Sequence, residues 1–275
     1  MKVIWVALTL LIAVPAAAAE EGPIPARDWS CQGPPPALSL PTRPIPRVES
    51  WAIERYRMLS NDLAQAAPRI VMLGDSLIQR WDPDVWERSM APRAAFNLGI
   101  NGDRIEHLTW RLRKGHVPAS PPDLYVVMIG TNNVGRGHPL PDIADGLRLL
   151  LETLRALHPK TPILLLALPP RADRPDLTLR VQDANRLFIR CAQLPGVMWG
   201  DPGAALLDNG RLTRAMAPDG LHFSAAGYER LTAALLPLID RATRRPVAPT
   251  LPRVTPDAVQ APVRPGRNSA ETGRD

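Results

Sequence analysis

Ser76 lies in Val71-Met72-Leu73-Gly74-Asp75-Ser76-Leu77, an apolar run that ends in a glycine, a carboxylate and a hydroxyl. That order reads as a strand turning into a helix, with the serine at the helix start. There the free backbone N–H groups and the positive helix end can stabilise an oxyanion. Serine at such a position is more often an N-cap with no chemistry, so this motif alone decides little. A nucleophilic serine needs a base. Of the histidines 107, 116, 138, 158 and 222, only His222 follows a carboxylate at a useful spacing, in Asp219-Gly220-Leu221-His222. On a tight turn that spacing lets Asp219 hold one ring nitrogen while the other faces a hydroxyl. His158, beside Pro159, reads as a helix-end residue. His107 and His116 bracket a helix as surface or packing residues, and His138 lies in a glycine-flanked loop.

These residues need elements that bring them together. Short apolar runs at 70–73, 94–98, 124–129, 163–168 and 197–199 are bounded by glycine, proline or polar residues. Continuous apolar runs of this length fit strands of a parallel sheet buried on both faces. Between them, helical patterns cover 48–66, 105–114, 142–158, 179–193 and 225–241, with Trp51, Ile53, Met58 and Leu59 expected to point inward in the first. Alternation of this kind predicts one α/β domain: a three-layer α/β/α sandwich around a five-stranded parallel sheet. In open α/β sheets ligands bind beyond the carboxyl ends of the strands. Gly74-Asp75-Ser76, Asn97-Leu98-Gly99-Ile100-Asn101-Gly102-Asp103 and Gly130-Thr131-Asn132-Asn133 all fall there.

The two ends of the chain differ from its middle. Residues 1–19 carry Lys2, an apolar run, Pro15 and then four alanines, the layout of a cleaved secretory signal peptide. The run is at the short end for crossing a bilayer, so stable membrane insertion after cleavage is not expected. The reading implies an exported protein, periplasmic or secreted. Residues 20–47 form a proline-rich arm, 48–242 the domain, and 243–275 a proline- and arginine-rich tail expected to be disordered. The tail's six arginines against three acids supply about half of the formal net charge of +6. No basic pattern with interleaved aromatics or helix-turn-helix signal accompanies them, which argues against nucleic acid as a partner. In an exported protein the two cysteines, Cys31 and Cys191, can pair; two unpaired thiols are the alternative.

Taken together, Gly74-Asp75-Ser76-Leu77, Gly102, Gly130-Thr131-Asn132 and Asp219-x-x-His222 resemble the four sequence blocks of the SGNH hydrolases, the GDSL esterase/lipase family. The resemblance runs over residues 51–236. It leans toward the platelet-activating-factor acetylhydrolase catalytic subunits and their bacterial relatives, through residues 97–104, His107, Trp110-Arg111-Leu112, Gly115 and Leu168-Pro169-Pro170-Arg171. Asn101 departs from it, since those relatives tend to have glycine there. The resemblance implies the flavodoxin-like SGNH fold and hydrolysis of short-chain carboxylic esters, acetyl esters among them. It further implies a triad of Ser76, His222 and Asp219, with an oxyanion hole formed by Ser76 N–H, Gly102 N–H and the Asn132 side-chain amide. Asp75 reads as structural.

Several alternatives are weaker. The α/β-hydrolase elbow needs Gly-x-Ser-x-Gly, but Ile78 stands where its last glycine belongs. No His-x-x-x-His, Cys-x-x-Cys or full dinucleotide fingerprint occurs, so no metal or cofactor is expected. With the chemistry unchanged, the substrate could instead be an O-acetylated polysaccharide or peptidoglycan, with Trp51, Trp81, Trp86, Trp110 and Trp199 as candidates for stacking on sugars. A non-catalytic glycan- or partner-binding module on the same fold would usually have lost one of Ser76, Gly102, Asn132, Asp219 or His222. All five are present.

Overall fold

A computed structural model describes residues 38–244. The signal segment, most of the arm, Cys31 and the tail beyond 244 lie outside the described residues.

Five parallel strands, β1 (Ile70–Gly74), β2 (Ala95–Gly99), β3 (Leu124–Met128), β4 (Ile163–Leu166) and β5 (Val197–Gly200), form one sheet in the order β2-β1-β3-β4-β5. The α/β sandwich expected from the apolar runs is therefore present. β1, β3 and β4 are buried along their whole length, as strands covered on both faces must be. Alternate side chains feed two separate cores. Val71, Leu73, Tyr125, Val127, Ile163 and Leu165 pack on one face against α1 (Ser50–Gln65), α4 (Ile105–Arg113), α6 (Leu140–Leu157) and α7 (Pro175–Cys191). Ile70, Met72, Val126, Met128 and Leu164 pack on the other against α2 (Ser76–Gln79), α3 (Pro83–Ser89) and α8 (Ala225–Thr243).

The helix expected to start at Ser76 is present as the short α2, whereas α3 and α5 (Thr131–Gly135) were not expected from the sequence, because one or two turns leave no periodic pattern. A two-stranded ribbon, β6 (Leu207–Asp208) with β7 (Arg211–Leu212), was also missed. α7 begins four residues earlier than expected, with Pro175 in its first turn, where the missing N–H costs nothing. In α1 the buried residues are Ala52, Leu59 and Leu63. Trp51 and Met58 are exposed instead of inward. The helix faces the sheet with a stripe one residue out of phase with the bulky pair, and Trp51 lies under the Arg47 guanidinium at 5.0 Å.

Residues 38–47 lie against the domain. Pro41 backs onto Gly146 of α6, where an added Cβ would stand 2.5 Å from the Pro41 carbonyl oxygen. Cys191 is buried at the end of α7.

Candidate active site

The sheet topology decides where the site lies. From β1 the chain moves outward to β2, then returns to the other side of β1 as β3. This switch point opens a crevice at the carboxyl ends of the strands. Pairing aligns Gly74 with Gly99 and with Met128. Ser76, Gly102 and Asn132 then follow two, three and four residues beyond those aligned positions.

Ser76 is the first residue of α2. Its neighbour Asp75 caps that helix, its Oδ1 accepting the Leu77 N–H at 3.0 Å, which agrees with a structural role. Gly74 is the last residue of β1, just before that cap. A Cβ there would stand 2.4 Å from the Met128 carbonyl oxygen, so the glycine lets β3 approach. Asp75 is fully buried and its Oδ2 has no hydrogen-bond partner among the described residues. Burial lifts its pKa to about 7, against the lowering effect of the Leu77 N–H bond.

His222 arrives from the opposite end of the chain, on the turn before α8. Its Nε2 stands 3.0 Å from Ser76 Oγ, and its Nδ1 stands 2.7 Å from Asp219 Oδ2. Asp219 Oδ1 also accepts the backbone N–H groups of Leu221 and His222 at 2.9 and 2.7 Å. Burial works to raise the Asp219 pKa, but the bonds from the His222 ring and these two N–H groups together outweigh it and hold the pKa at about 2. An ionised carboxylate only accepts, which puts the imidazole proton on Nδ1 and leaves the Nε2 lone pair toward the serine hydroxyl. Such a chain can take a proton from Ser76 and stabilise the imidazolium that results.

The turn itself depends on a residue that the sequence reading passed over. Gly220 has φ +80°, and a Cβ on it would stand 2.5 Å from the Asp173 backbone nitrogen. The Gly220 carbonyl accepts the Ala172 N–H at 2.7 Å. Beside it, Arg171 makes a two-pronged pair with Asp173 and donates to the Thr131 carbonyl and hydroxyl at 2.9 and 3.0 Å. The loop after β4 thus braces both the Asp219 turn and the start of α5.

Asn132 and Gly102 meet through the backbone. One Asn132 amide N–H donates to the Asp103 carbonyl at 2.9 Å, tying α5 to the turn after β2. Its neighbour Asn133 is fully buried and occupied, accepting the Ile105 N–H and donating to Glu106. Gly102 has φ +69°. The left-handed residue of this turn is therefore Gly102, while Asn101 keeps an ordinary φ and donates its N–H to Gln79 Oε1 at 2.6 Å.

Beneath the turn lies a buried ionic group that the sequence reading did not find. Asp103 accepts from Arg111 Nε at 2.9 Å and from Arg47 Nη1 at 3.3 Å. Arg111 Nη2 reaches the carbonyls of Leu98 at 2.7 Å and Gly74 at 3.3 Å, at the carboxyl ends of β2 and β1. Burial disfavours charge on both Asp103 and Arg111, and each pulls the other back toward its ionised form. His107 and His116, read as surface or packing residues, are packing residues, both buried. Burial first, then nearby arginines, push them down to about 3 and about 2, which keeps both neutral. His158 holds the Tyr125 hydroxyl at 2.7 Å through Nδ1.

Among the described residues, no cluster of histidine, cysteine, aspartate or glutamate could hold a metal, and no helix is long and apolar enough to cross a membrane. Trp81 is buried and donates to Thr232, so it cannot stack on a sugar.

Comparison with known proteins now decides the family. A family model described as GDSL-like lipase/acylhydrolase matches residues 72–230. The chain belongs to this family. Its members are hydrolases acting on ester bonds, and this chain is one of them. A curated relative, the platelet-activating factor acetylhydrolase IB subunit alpha1 of Rattus norvegicus, is 30% identical over 217 residues, covering 75% of this chain and 90% of that protein. The Homo sapiens subunit is 29% identical with the same coverage. Solved structures share the fold. A putative platelet activating factor from Streptococcus pneumonia has TM-score 0.60 and 23% identity, covering 70% of this chain and 94% of that one. An acetylxylan esterase from Geobacillus stearothermophilus, solved as a catalytic mutant, has TM-score 0.52 and 21% identity, covering 65% and 95%.

Proposed function

We propose that this esterase is an exported enzyme that hydrolyses short-chain carboxylic esters, acetyl esters foremost, through Ser76, His222 and Asp219. The observation that carries the reading is the unbroken relay from Ser76 Oγ through both nitrogens of His222 to Asp219, at 3.0 and 2.7 Å. Ser76 Oγ attacks the ester carbonyl while His222 Nε2 takes its proton. Asp219 keeps the ring in the required tautomer. The oxyanion is met by the N–H groups of Ser76 and Gly102 and by the Asn132 amide, whose second N–H is uncommitted among the described residues. The imidazolium then protonates the departing alcohol, and water repeats the sequence to release the acid from the acyl-serine.

The acetyl preference draws on the name of the sequence relatives, which are acetylhydrolases. Export draws on the signal-like layout of residues 1–19. The test is turnover of p-nitrophenyl acetate by purified protein and by Ser76→Ala. Loss of activity by a factor on the order of 10³ or more is expected, whereas undiminished turnover in the variant would sink the mechanism. A chain-length series from acetate to octanoate then reads the acyl preference, and a maximum at the long end overturns it. N-terminal sequencing of the protein recovered from a cell envelope fraction checks export. A mature protein that still starts at Met1 contradicts cleavage.

A further inference from the structure

Arg47 belongs to the segment that reads in sequence as a proline-rich arm, yet its guanidinium is buried beneath the Gly102 turn with 11% of its side chain exposed. Its Nη1 donates to the Asn101 carbonyl at 2.8 Å and to Asp103 Oδ1 at 3.3 Å. A Cβ built on Gly102 would stand 3.3 Å from that same nitrogen, so the turn lies directly against the cation. Glu49 accepts from Arg47 Nε at 2.8 Å, and the Trp51 ring lies 5.0 Å from the guanidinium carbon. Two partners outside the turn, Glu49 and Trp51, therefore hold the guanidinium in place against it.

The Asn101 carbonyl and the Gly102 N–H are the two ends of one planar peptide unit, and in a trans peptide they point in opposite directions. A cation bonded to the carbonyl end does two things to the other end. It locks the rotation of the plane, and it draws electron density toward the oxygen, making the N–H a stronger donor. We infer that Arg47 is a positioning residue for ester hydrolysis, holding and polarising the peptide whose N–H meets the oxyanion. The inference rests on the serine-esterase reading above and on Gly102 as one of its donors.

The surroundings let this be tested without wrecking the fold. Arg47 lines a cavity of about 300 Å³ with Tyr56, Arg57, Ile100, His107 and Trp110, and neither Ser76 nor His222 lines it. Shortening the side chain enlarges a space that water can enter, and Arg111 stays paired with Asp103. Removing an oxyanion donor outright commonly costs 10²–10³ in kcat. Weakening one through its far end is expected to cost less.

The experiment compares Arg47→Met, Arg47→Gln and Arg47→Lys with the unaltered protein on p-nitrophenyl acetate, with Tm recorded for each. A boronic acid that forms a tetrahedral adduct on the serine serves as transition-state probe. Arg47→Met is expected to lower kcat roughly tenfold with KM within about twofold, and to weaken the boronic acid by a similar factor. Arg47→Lys should restore most of both, and Arg47→Gln, which can donate without charge, should fall between them. If Arg47→Met does not fold, the Gln and Lys variants carry the comparison alone. A kcat within twofold in Met and Gln, whatever happens to Tm, would show that the residue only supports the fold. A rise in KM at constant kcat would assign it to substrate binding instead. Activity surviving Ser76→Ala overturns the esterase reading itself, whereas an inactive Ser76→Ala beside a fully active Arg47→Met overturns only the role of Arg47.

Discussion

The turn that carries Gly102 rests on buried charge, whereas the turn that carries Asp219 and His222 stands where solvent reaches it. Asp103 and Arg111 have no more than 3% of their side chains exposed, but Asp219 exposes 56%. The first turn is held by ion pairs and by carbonyls at the ends of β1 and β2. The second is held by its own backbone N–H groups and by the loop after β4. An oxyanion donor must not move as charge develops, and buried pairs fix it firmly because breaking one leaves an uncompensated ion. In the proposed mechanism the base must accept a proton and release it, and the His222 ring keeps 24% of its side chain open to solvent.

If this contrast holds, activity and stability separate across the site. The largest effect is expected at Asp219→Asn. The amide keeps an oxygen for the Leu221 and His222 N–H groups but no longer dictates the imidazole tautomer. kcat should fall by a factor on the order of 10⁴, about 5 kcal/mol of barrier, while Tm moves by only a few degrees. A large drop in Tm would show that the exposed turn is as structural as the buried one.

Next comes Asp103→Ala, which leaves Arg111 buried without its carboxylate. A loss of about 3–5 kcal/mol is expected from denaturant unfolding, together with lost turnover. Stability within 1 kcal/mol of the unaltered protein would mean that the buried pair is dispensable and that the contrast fails.

The smallest effect is pH-dependent and concerns Asp75. Its pKa is raised in the fold, from 3.8 to about 7, so the native state binds the proton more tightly than the unfolded chain. Its contribution is fully present below pH 3.8 and is lost as pH rises toward 7. Asp75→Asn cannot ionise, so the stability of the unaltered protein relative to this variant should decline between about pH 4 and pH 7.5, by a few kcal/mol at most. Urea unfolding of both proteins across that range reads the difference. A constant difference would show that Asp75 ionises as an ordinary surface carboxylate.

The sequence was most informative where a local pattern carries a physical requirement. Short uninterrupted apolar runs bounded by breakers fit strands of a parallel sheet, and all five were placed within a residue or two, although the outer strands β2 and β5 are only partly buried. Ser76 and the Asp219–His222 spacing were likewise legible as candidates, because a helix start and a tight turn are local structures. The face of α1 was read wrongly at Trp51 and Met58, because which stripe is buried depends on how the helix lies on the sheet. Gly220 could have been suspected from its place between acid and base. Its need for a positive φ, and the Asp173 backbone that excludes a side chain, come from a loop far away in sequence.

Composition, periodicity and short motifs therefore determined the fold class and singled out Ser76, Asp219 and His222 as candidates. Tertiary structure alone decided that Ser76 Oγ and His222 Nε2 meet at 3.0 Å across 146 residues of chain. It also decided that Arg47, from an apparent linker, sits under the Gly102 turn and that Asp103 and Arg111 share a buried ion pair. Long-range electrostatic contacts leave no periodic trace in the chain. An arginine meant for a buried carboxylate has the same letter as one meant for water, and only packing removes the water between them.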